Sequence, residues 1–460
     1  MTNPASGLPV LEQPSAAAKP SGVGADIDYS KFLDCVHCGL CTSACPTYLE
    51  TGDENDSPRG RIYLMRAVTD GKLELSKTVK RHLDLCLDCR SCETACPSGV
   101  QYGRLIEPFR NEMQQAEKKA SPNSGPDWFH RWILLGLFPY PKRMNWALLP
   151  ARIAQALKVD RLIEALQLPK LMPRRLARMY SILPKLIPHG PPLPERLPAH
   201  GERRATVAFF TGCVSESIFN HVNQATVRVL QANGCDVIIP PSQACCGAIH
   251  YHSGAGEQAL QFLEQNLNAF PLDEVDAVIG NVAGCGAMLK DYGHIAEELV
   301  PENKKLHEKL SAFAGKIRDI SEFLIDLGPI KPEGSIPLKA TYHDACHLVH
   351  AQQIREQPRN LLSMIPGLEL VPLAESDICC GAAGSYNLTE PEMADRLAAR
   401  KLGNIEQTEA QALISANAGC TLQIQSTLKR AGHDVWVVHP IELLDLSYQK
   451  KQPPIPKGIS

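Results

Sequence analysis

The chain has 460 residues, 44% hydrophobic and 21% charged, with Lys+Arg 47 against Asp+Glu 50 and a net charge of −3. That suits several soluble folded cores and gives no global attraction to nucleic acid. No apolar run approaches the ~18 residues of a membrane span and no signal peptide opens the chain, so the clustered thiols among its 17 cysteines read as metal ligands in a reducing cytoplasm, not as disulfides.

The first 27 residues, rich in Ala, Pro, Ser and Gly, are expected to form a disordered tail. A domain is expected over residues 28–118, because two stretches there share one pattern. The first is Cys35-Val-His-Cys38-Gly-Leu-Cys41-Thr-Ser-Ala-Cys45-Pro46, and the second is Cys86-Leu-Asp-Cys89-Arg-Ser-Cys92-Glu-Thr-Ala-Cys96-Pro97. Both are C-x2-C-x2-C-x3-C-P, the spacing of two-cluster ferredoxins, in which three thiolates wrap one cubane and the fourth reaches the other. Zinc sites use two cysteine pairs and a longer spacer, so the pattern favours clusters. Cys35, Cys38, Cys41 and Cys96 are therefore expected to hold one [4Fe–4S] cluster, and Cys86, Cys89, Cys92 and Cys45 the other. Each Pro after the fourth Cys is expected to start a helix. Between the motifs, Ser57 should cap a helix with Pro58 at its first position. Ile62, Leu64 and Met65 would then face inward, while Arg59, Arg61 and Arg66 either offset cluster charge or lie solvated on the surface.

Residues 119–204 form a Pro-rich basic linker with helical pieces. From Pro126 to Ala205 there are twelve prolines, and fourteen Lys and Arg stand against five Asp and Glu, so this stretch carries +9 in a chain of −3. The piece around Trp128-Phe-His-Arg-Trp132-Ile-Leu134 could lie in a bilayer interface or grip a partner. Packing between modules, with Trp in the seam, or a subunit contact is slightly favoured over lipid. The prolines from Pro188 to Pro198 read as a stiff connector.

A repeat follows, with units expected over 205–328 and 329–446 and a tail over 447–460. Cys213, Cys245-Cys246-Gly247 and Cys285 recur as Cys346, Cys379-Cys380-Gly381 and Cys420, at offsets of 133, 134 and 135 residues. Thr206–Phe210, Asp236–Ile239 and Ala277–Ile279 read as strands. So do Ala340–Tyr342, Leu368–Val371 and Ala412–Ser415, and Val435–Val438 adds a last one. With helices between them, these predict parallel α/β sheets whose cysteines converge at the strands' carboxyl ends. The fold class is thus α/β plus a small helical part: a ferredoxin-like domain, then two Cys-Cys-Gly domains. His250, His252, His343 and His347 are candidate ligands or acid–base groups of those ends. Cys235, the odd thiol, reads as structural. No dinucleotide fingerprint or P-loop appears, so hydride chemistry is expected on another subunit.

Two ferredoxin motifs followed by two Cys-Cys-Gly units resemble the iron–sulfur subunit of bacterial glycolate oxidase over Asp28 to about Leu444. Ser57-Pro-Arg-Gly-Arg-Ile-Tyr63 and the stretch Asp84–Val100 carry that branch in particular. The resemblance implies a complex with FAD-binding subunits that oxidises glycolate, and also D-lactate, with two [4Fe–4S] clusters passing electrons towards a respiratory quinone. It implies a peripheral position on the cytoplasmic face of the inner membrane and no nucleic-acid partner. Related families leave two alternatives: another 2-hydroxy-acid or glycerol-3-phosphate dehydrogenase subunit, and a heterodisulfide-reductase-like catalytic subunit. In the wider family each Cys-Cys-Gly unit ends in C-x-x-C. Met288 and Gln423 stand at the last position here, which weighs against the catalytic alternative. The four thiols left in each unit (Cys213, Cys245, Cys246 and Cys285; Cys346, Cys379, Cys380 and Cys420) still suffice for an extra cluster or a zinc ion, or the units act only as docking scaffolds.

Overall fold

The computed structural model describes residues 22–120 and 127–454. The N-terminal module is helical, as its short apolar spacings require. Ser57 accepts a hydrogen bond from Gly60 N and Pro58 opens the helix Pro58–Thr69, which buries Ile62, Leu64 and Met65. They meet Leu83, Leu105, Ile106 and Phe109 in a core of their own. Residues 22–27, assigned above to a tail, are tied down: Thr69 Oγ1 donates to Val23 O at 3.1 Å and Ile27 is buried in the same core. The tail's remainder and the chain's last six residues lie outside the described residues.

Each repeat unit is a parallel sheet covered by helices. The first comprises β1 (Arg196–Leu197), β2 (Ala205–Phe210), β3 (Cys235–Ile238), β4 (Ala277–Gly280) and β5 (Ile317–Asp319), in the order β1-β3-β2-β4-β5. The second comprises β6 (Leu338–His343), β7 (Leu368–Val371), β8 (Ala412–Ser415) and β9 (Trp436–Val438), in the order β7-β6-β8-β9. All pairings are parallel except β1 with β3. β1 corrects the stiff-connector reading, because the prolines around it leave two residues free to pair on an exposed edge.

The two units share one core. Helix Asn220–Ala232 of the first packs on Pro440–Tyr448 of the second, and Ile320–Leu327 of the first packs on Glu356–Ser363 of the second. In each direction the helix leading into β3 or β7 meets the last helix of the other unit, as an approximate two-fold would require. Arg228 clamps Asp445 across this seam, Nη2 to Oδ2 at 2.6 Å. The arrangement turns the carboxyl ends of both sheets towards each other: Ala283 N donates to Ala416 O at 3.0 Å, and Gly284 N to Asn417 Oδ1 at 3.2 Å.

The linker crosses that end. Arg152 donates to Ser217 O in the first unit, and Arg178 pairs with Asp395 of the second at 2.7 Å. Phe129 and Leu134 are buried against Ile182 and Leu388, so packing is the outcome. The tryptophans are not in the seam: Trp128, Trp132 and Trp146 are 54%, 64% and 76% exposed. Phe129, Ile133 and Leu134 beside them fill the narrow contact. No helix among the described residues is long and apolar enough to cross a membrane.

Candidate iron–sulfur centres

The eight motif cysteines surround two separate small cavities. One, of about 30 Å³, is lined by Cys35, Cys38, Cys41 and Cys96, with Cys92 at its edge. The other, of about 20 Å³, is lined by Cys45, Cys86, Cys89 and Cys92. Cys45 reaches the second cavity because Pro46 starts the helix Pro46–Thr51 immediately after it. Cys96 reaches the first cavity differently: Pro97 leads into a turn through Gly99 (φ +70°), not into a helix. Glycine tolerates that left-handed φ without strain.

Electrostatics differ between the two cages. Cys38 is exposed and Cys35 and Cys41 are half-buried, whereas Cys45, Cys86 and Cys89 are buried. Burial pushes the Cys41 thiol up to about 11 and holds Cys89 and Cys92 well above the ordinary thiol range. Thiolates there need a cationic centre, so metal binding would release protons. Arg61 answers the charge question: it is 1% exposed, and its guanidinium donates to His82 O at 2.7 Å and Thr47 Oγ1 at 3.0 Å. It also lies 3.9 Å from Cys45 Sγ and 3.6 Å from Asp56. Arg59 lines the first cage, donating to His37 O at 3.1 Å while pairing with Glu54, whereas Arg66 serves elsewhere, bonding the Tyr29 hydroxyl. The donor set, the two cages and the buried cation fit two cubanes of net negative charge.

The repeat thiols converge as well. In the first unit Cys213 and Cys245 Sγ are 3.5 Å apart. Hydrogen bonds from Cys245 and then Cys285 hold Cys246 well below the usual thiol range. In the second, Cys346 and Cys379 Sγ are 4.0 Å apart, and contact with Cys379, then burial, pushes Cys346 well up. A ring nitrogen of His343 and the Sγ atoms of Cys380 and Cys420 all lie within 4.8 Å of one another. All of these thiols but Cys380 line one cavity of about 310 Å³, roofed by linker residues including Phe138, Met144, Leu148 and Ile182.

The other candidate histidines are divided. His252 faces Glu107 at 2.9 Å and Asp88 at 3.3 Å, and it stacks near His347 with centroids 6.1 Å apart. Burial lowers His252, but Glu107 and Asp88 more than offset that and raise it. His347 bonds to Asp88 O at 3.1 Å, and burial lowers it to about 4. His250 is buried against Phe262. Sequence reasoning missed Lys401, a 2% exposed ammonium beside Cys379 and Cys380, and the junction where Cys89 shares an apolar cluster with Cys346 and Cys379. Nothing in the spacing of these residues signals either. Cys235 is fully buried in the shared core, away from both thiol sets.

Comparison with known proteins agrees with this layout. Residues 31–100 match the 4Fe-4S dicluster domain, and 207–290 and 340–425 each match the Cysteine-rich domain. Residues 126–183 match the linker region of the glycolate oxidase iron-sulfur subunit. The chain is 38% identical to the probable glycolate oxidase iron-sulfur subunit of Bacillus subtilis, covering 91% of this chain and 94% of that one. It is 34% identical to the glycolate oxidase iron-sulfur subunit of Escherichia coli, with the same coverage of 91% and 94%. Lactate utilization protein A of an Exiguobacterium is 32% identical over 52% of this chain and 96% of that one. The crystal structure of a hypothetical protein from Helicobacter pylori shares the fold, with a TM-score of 0.51 at 11% identity over 86% of this chain and 69% of that one.

Proposed function

Because the chain belongs to the family of glycolate oxidase iron–sulfur subunits, we propose that it carries electrons in a complex with FAD-binding subunits that oxidise glycolate to glyoxylate, and also D-lactate. Cys35, Cys38, Cys41 and Cys96 hold one [4Fe–4S] cluster, and Cys45, Cys86, Cys89 and Cys92 hold the other. Such clusters supply one-electron transfer, which splits the electron pair that a flavin takes from a 2-hydroxy acid.

One observation carries this reading: two thiol cages lie side by side, one opening at the surface and one buried towards the repeat. Leu33, Val36, Leu40 and Tyr63 form an exposed apolar collar near the surface cage, at 54%, 67%, 58% and 64% exposure. That collar is where the flavoprotein docks. The linker presents a second face, in which Trp146, Leu157 and Leu171 are 76%, 70% and 83% exposed among basic residues. Apolar side chains interleaved with lysine and arginine suit an anionic bilayer, where a respiratory quinone dissolves. Electrons leave towards that quinone on the cytoplasmic face of the inner membrane.

The test is anaerobic purification of the tagged chain from its native host, then addition of glycolate while following cluster absorbance. Co-purified flavin with bleaching supports the proposal. Bleaching by glycerol 3-phosphate alone would move the chain to another dehydrogenase, and no bleaching by either 2-hydroxy acid would overturn the function.

A further inference from the structure

The two units end their central strands differently. β2 ends on Phe210, paired with Gly280 of β4, and β6 ends on His343, paired with Ser415 of β8. Phe210 completes an apolar core and stacks on Phe270. His343 is fully buried, and neither ring nitrogen has a hydrogen-bond partner; nor has Ser415 Oγ. The Ser376 backbone passes close by without hydrogen-bond geometry to the ring. Leaving a buried polar group unmatched costs about 1–3 kcal/mol, so an imidazole in this position is expected to meet a ligand.

The surroundings indicate which kind. Cys380 and Cys420 lie within 4.8 Å of the ring nitrogen, and Cys346 and Cys379 adjoin them. Asn417 Nδ2 donates to Cys420 Sγ at 3.3 Å, and the buried Lys401 ammonium, which donates to Glu375 O and Ser376 O, adds positive charge felt by Cys379 and Cys380. Gln423 is already occupied: its Oε1 accepts from Asn387 at 3.0 Å and its Nε2 donates to Ala394 O at 3.3 Å. The first unit has none of this. It has Phe210 in place of the imidazole, Val282 in place of Asn417, and the neutral Asn266, which bonds Ala244 N and Cys245 O.

We infer that His343 is a nitrogen ligand to an iron–sulfur centre that Cys346, Cys379, Cys380 and Cys420 hold in the second unit, a ligand the first unit lacks. This rests on reading the chain as an iron–sulfur carrier. Four thiolates and an imidazole exceed the four donors of a structural zinc ion, so a polynuclear centre fits better. Imidazole in place of thiolate removes negative charge and favours the reduced state, and Lys401 acts in the same direction. The centre lies against the second cage, because Cys89, Cys346 and Cys379 pack together. With both centres bound, Cys89 on one side and Cys346 and Cys379 on the other would place them for one-electron exchange, the donor cluster oxidised and this centre reduced, with no bond or proton changing hands.

The experiment uses the full chain, purified anaerobically, as wild type, His343→Phe and His343→Cys. His343→Phe installs the residue that β2 carries, and His343→Cys retains a donor should the phenylalanine fail to fold. Wild type is expected to hold more than the roughly eight iron of two cubanes, and a reduced signal with strong ¹⁴N coupling in pulsed EPR. Both variants lose that coupling while the two ferredoxin-type signals stay. His343→Cys keeps the extra iron at a lower midpoint potential. Nitrogen coupling that survives either substitution, zinc in the second unit, or iron limited to two cubanes would each overturn the inference. None of these results touches reduction of the cubanes by glycolate, so the proposed function stands or falls separately.

Discussion

The two repeat units share a backbone plan and differ in the side chains around the same thiols. β3-β2-β4-β5 and β7-β6-β8-β9 run in the same order, with the cysteines after equivalent strands. Strand topology therefore fixes where the sulfurs converge. The chemistry they support is set by a few flanking positions: Phe210 against His343, Gly280 against Ser415, Val282 against Asn417, and Asn266 against Lys401. One unit closes its site with apolar packing and amide hydrogen bonds, and the other gathers donors and a cation. Duplication preserves a scaffold more readily than it preserves a site.

The largest difference should appear when one thiol is removed from each unit. Cys380→Ser abolishes the nitrogen-coupled signal, whereas Cys246→Ser leaves it intact; EPR of the two variants decides. Next comes the Asn266 and Lys401 pair. Asn266→Leu strips partners from Ala244 N, Cys245 O and the Tyr292 hydroxyl and should lower stability by about 2–4 kcal/mol in denaturant titration. Lys401→Met takes one donor from each of Glu375 O and Ser376 O, which keep Ile378 N and Asp344 N, so it costs less and shows mainly as a lower midpoint potential of the second-unit centre.

A third contrast concerns the caps of the last helices. Asp319 caps Ile320–Leu327 through Ser321 N at 2.8 Å, and His439 caps Pro440–Tyr448 through Ile441 N at 3.2 Å. His439 must be neutral to accept there, with its other nitrogen bonding Asn281 O at 2.8 Å. Burial lowers His439 to about 4, below the unfolded value near 6.5, so its contribution is full above pH 6.5 and lost as pH falls through 4. Up to about 3 kcal/mol is at stake over that window. Burial raises Asp319, so acid protonates it without penalty to the fold. Thermal melts from pH 7 to 4 should therefore fall less steeply for His439→Asn than for wild type, while Asp319→Asn should not flatten the acid limb. The smallest effect belongs to Cys235→Ala, which removes a buried thiol from the shared core: about 1 kcal/mol of stability and no iron.

Much of this was legible in the sequence because strict spacing survives without tertiary information. The C-x2-C-x2-C-x3-C-P runs, the Cys-Cys-Gly repeat and seven strands follow from it. β1 escaped because two residues carry no periodicity, and β5 because Ile-Arg-Asp, unlike the equally short Trp-Val-Val of β9, offers no apolar run. The shared core escaped because apolar helix faces do not name their partners. The tryptophans misled for the opposite reason: their size suggested a seam that smaller residues fill. His343 was visible as one histidine of four, but only the structure shows that both its ring nitrogens lack partners, which separates it from the equally buried His250 and from His347. Lys401 sits in an ordinary helical stretch, and nothing local marks it as buried beside thiols.

The most direct test of the account is an anaerobic reductive titration of the intact chain, counting electrons by EPR spin quantitation. The two ferredoxin-type clusters take roughly one electron each. The account predicts a further electron, taken up before them, at a centre whose signal carries nitrogen coupling. A chain that saturates at two electrons, with no nitrogen-coupled signal at any potential, would contradict it.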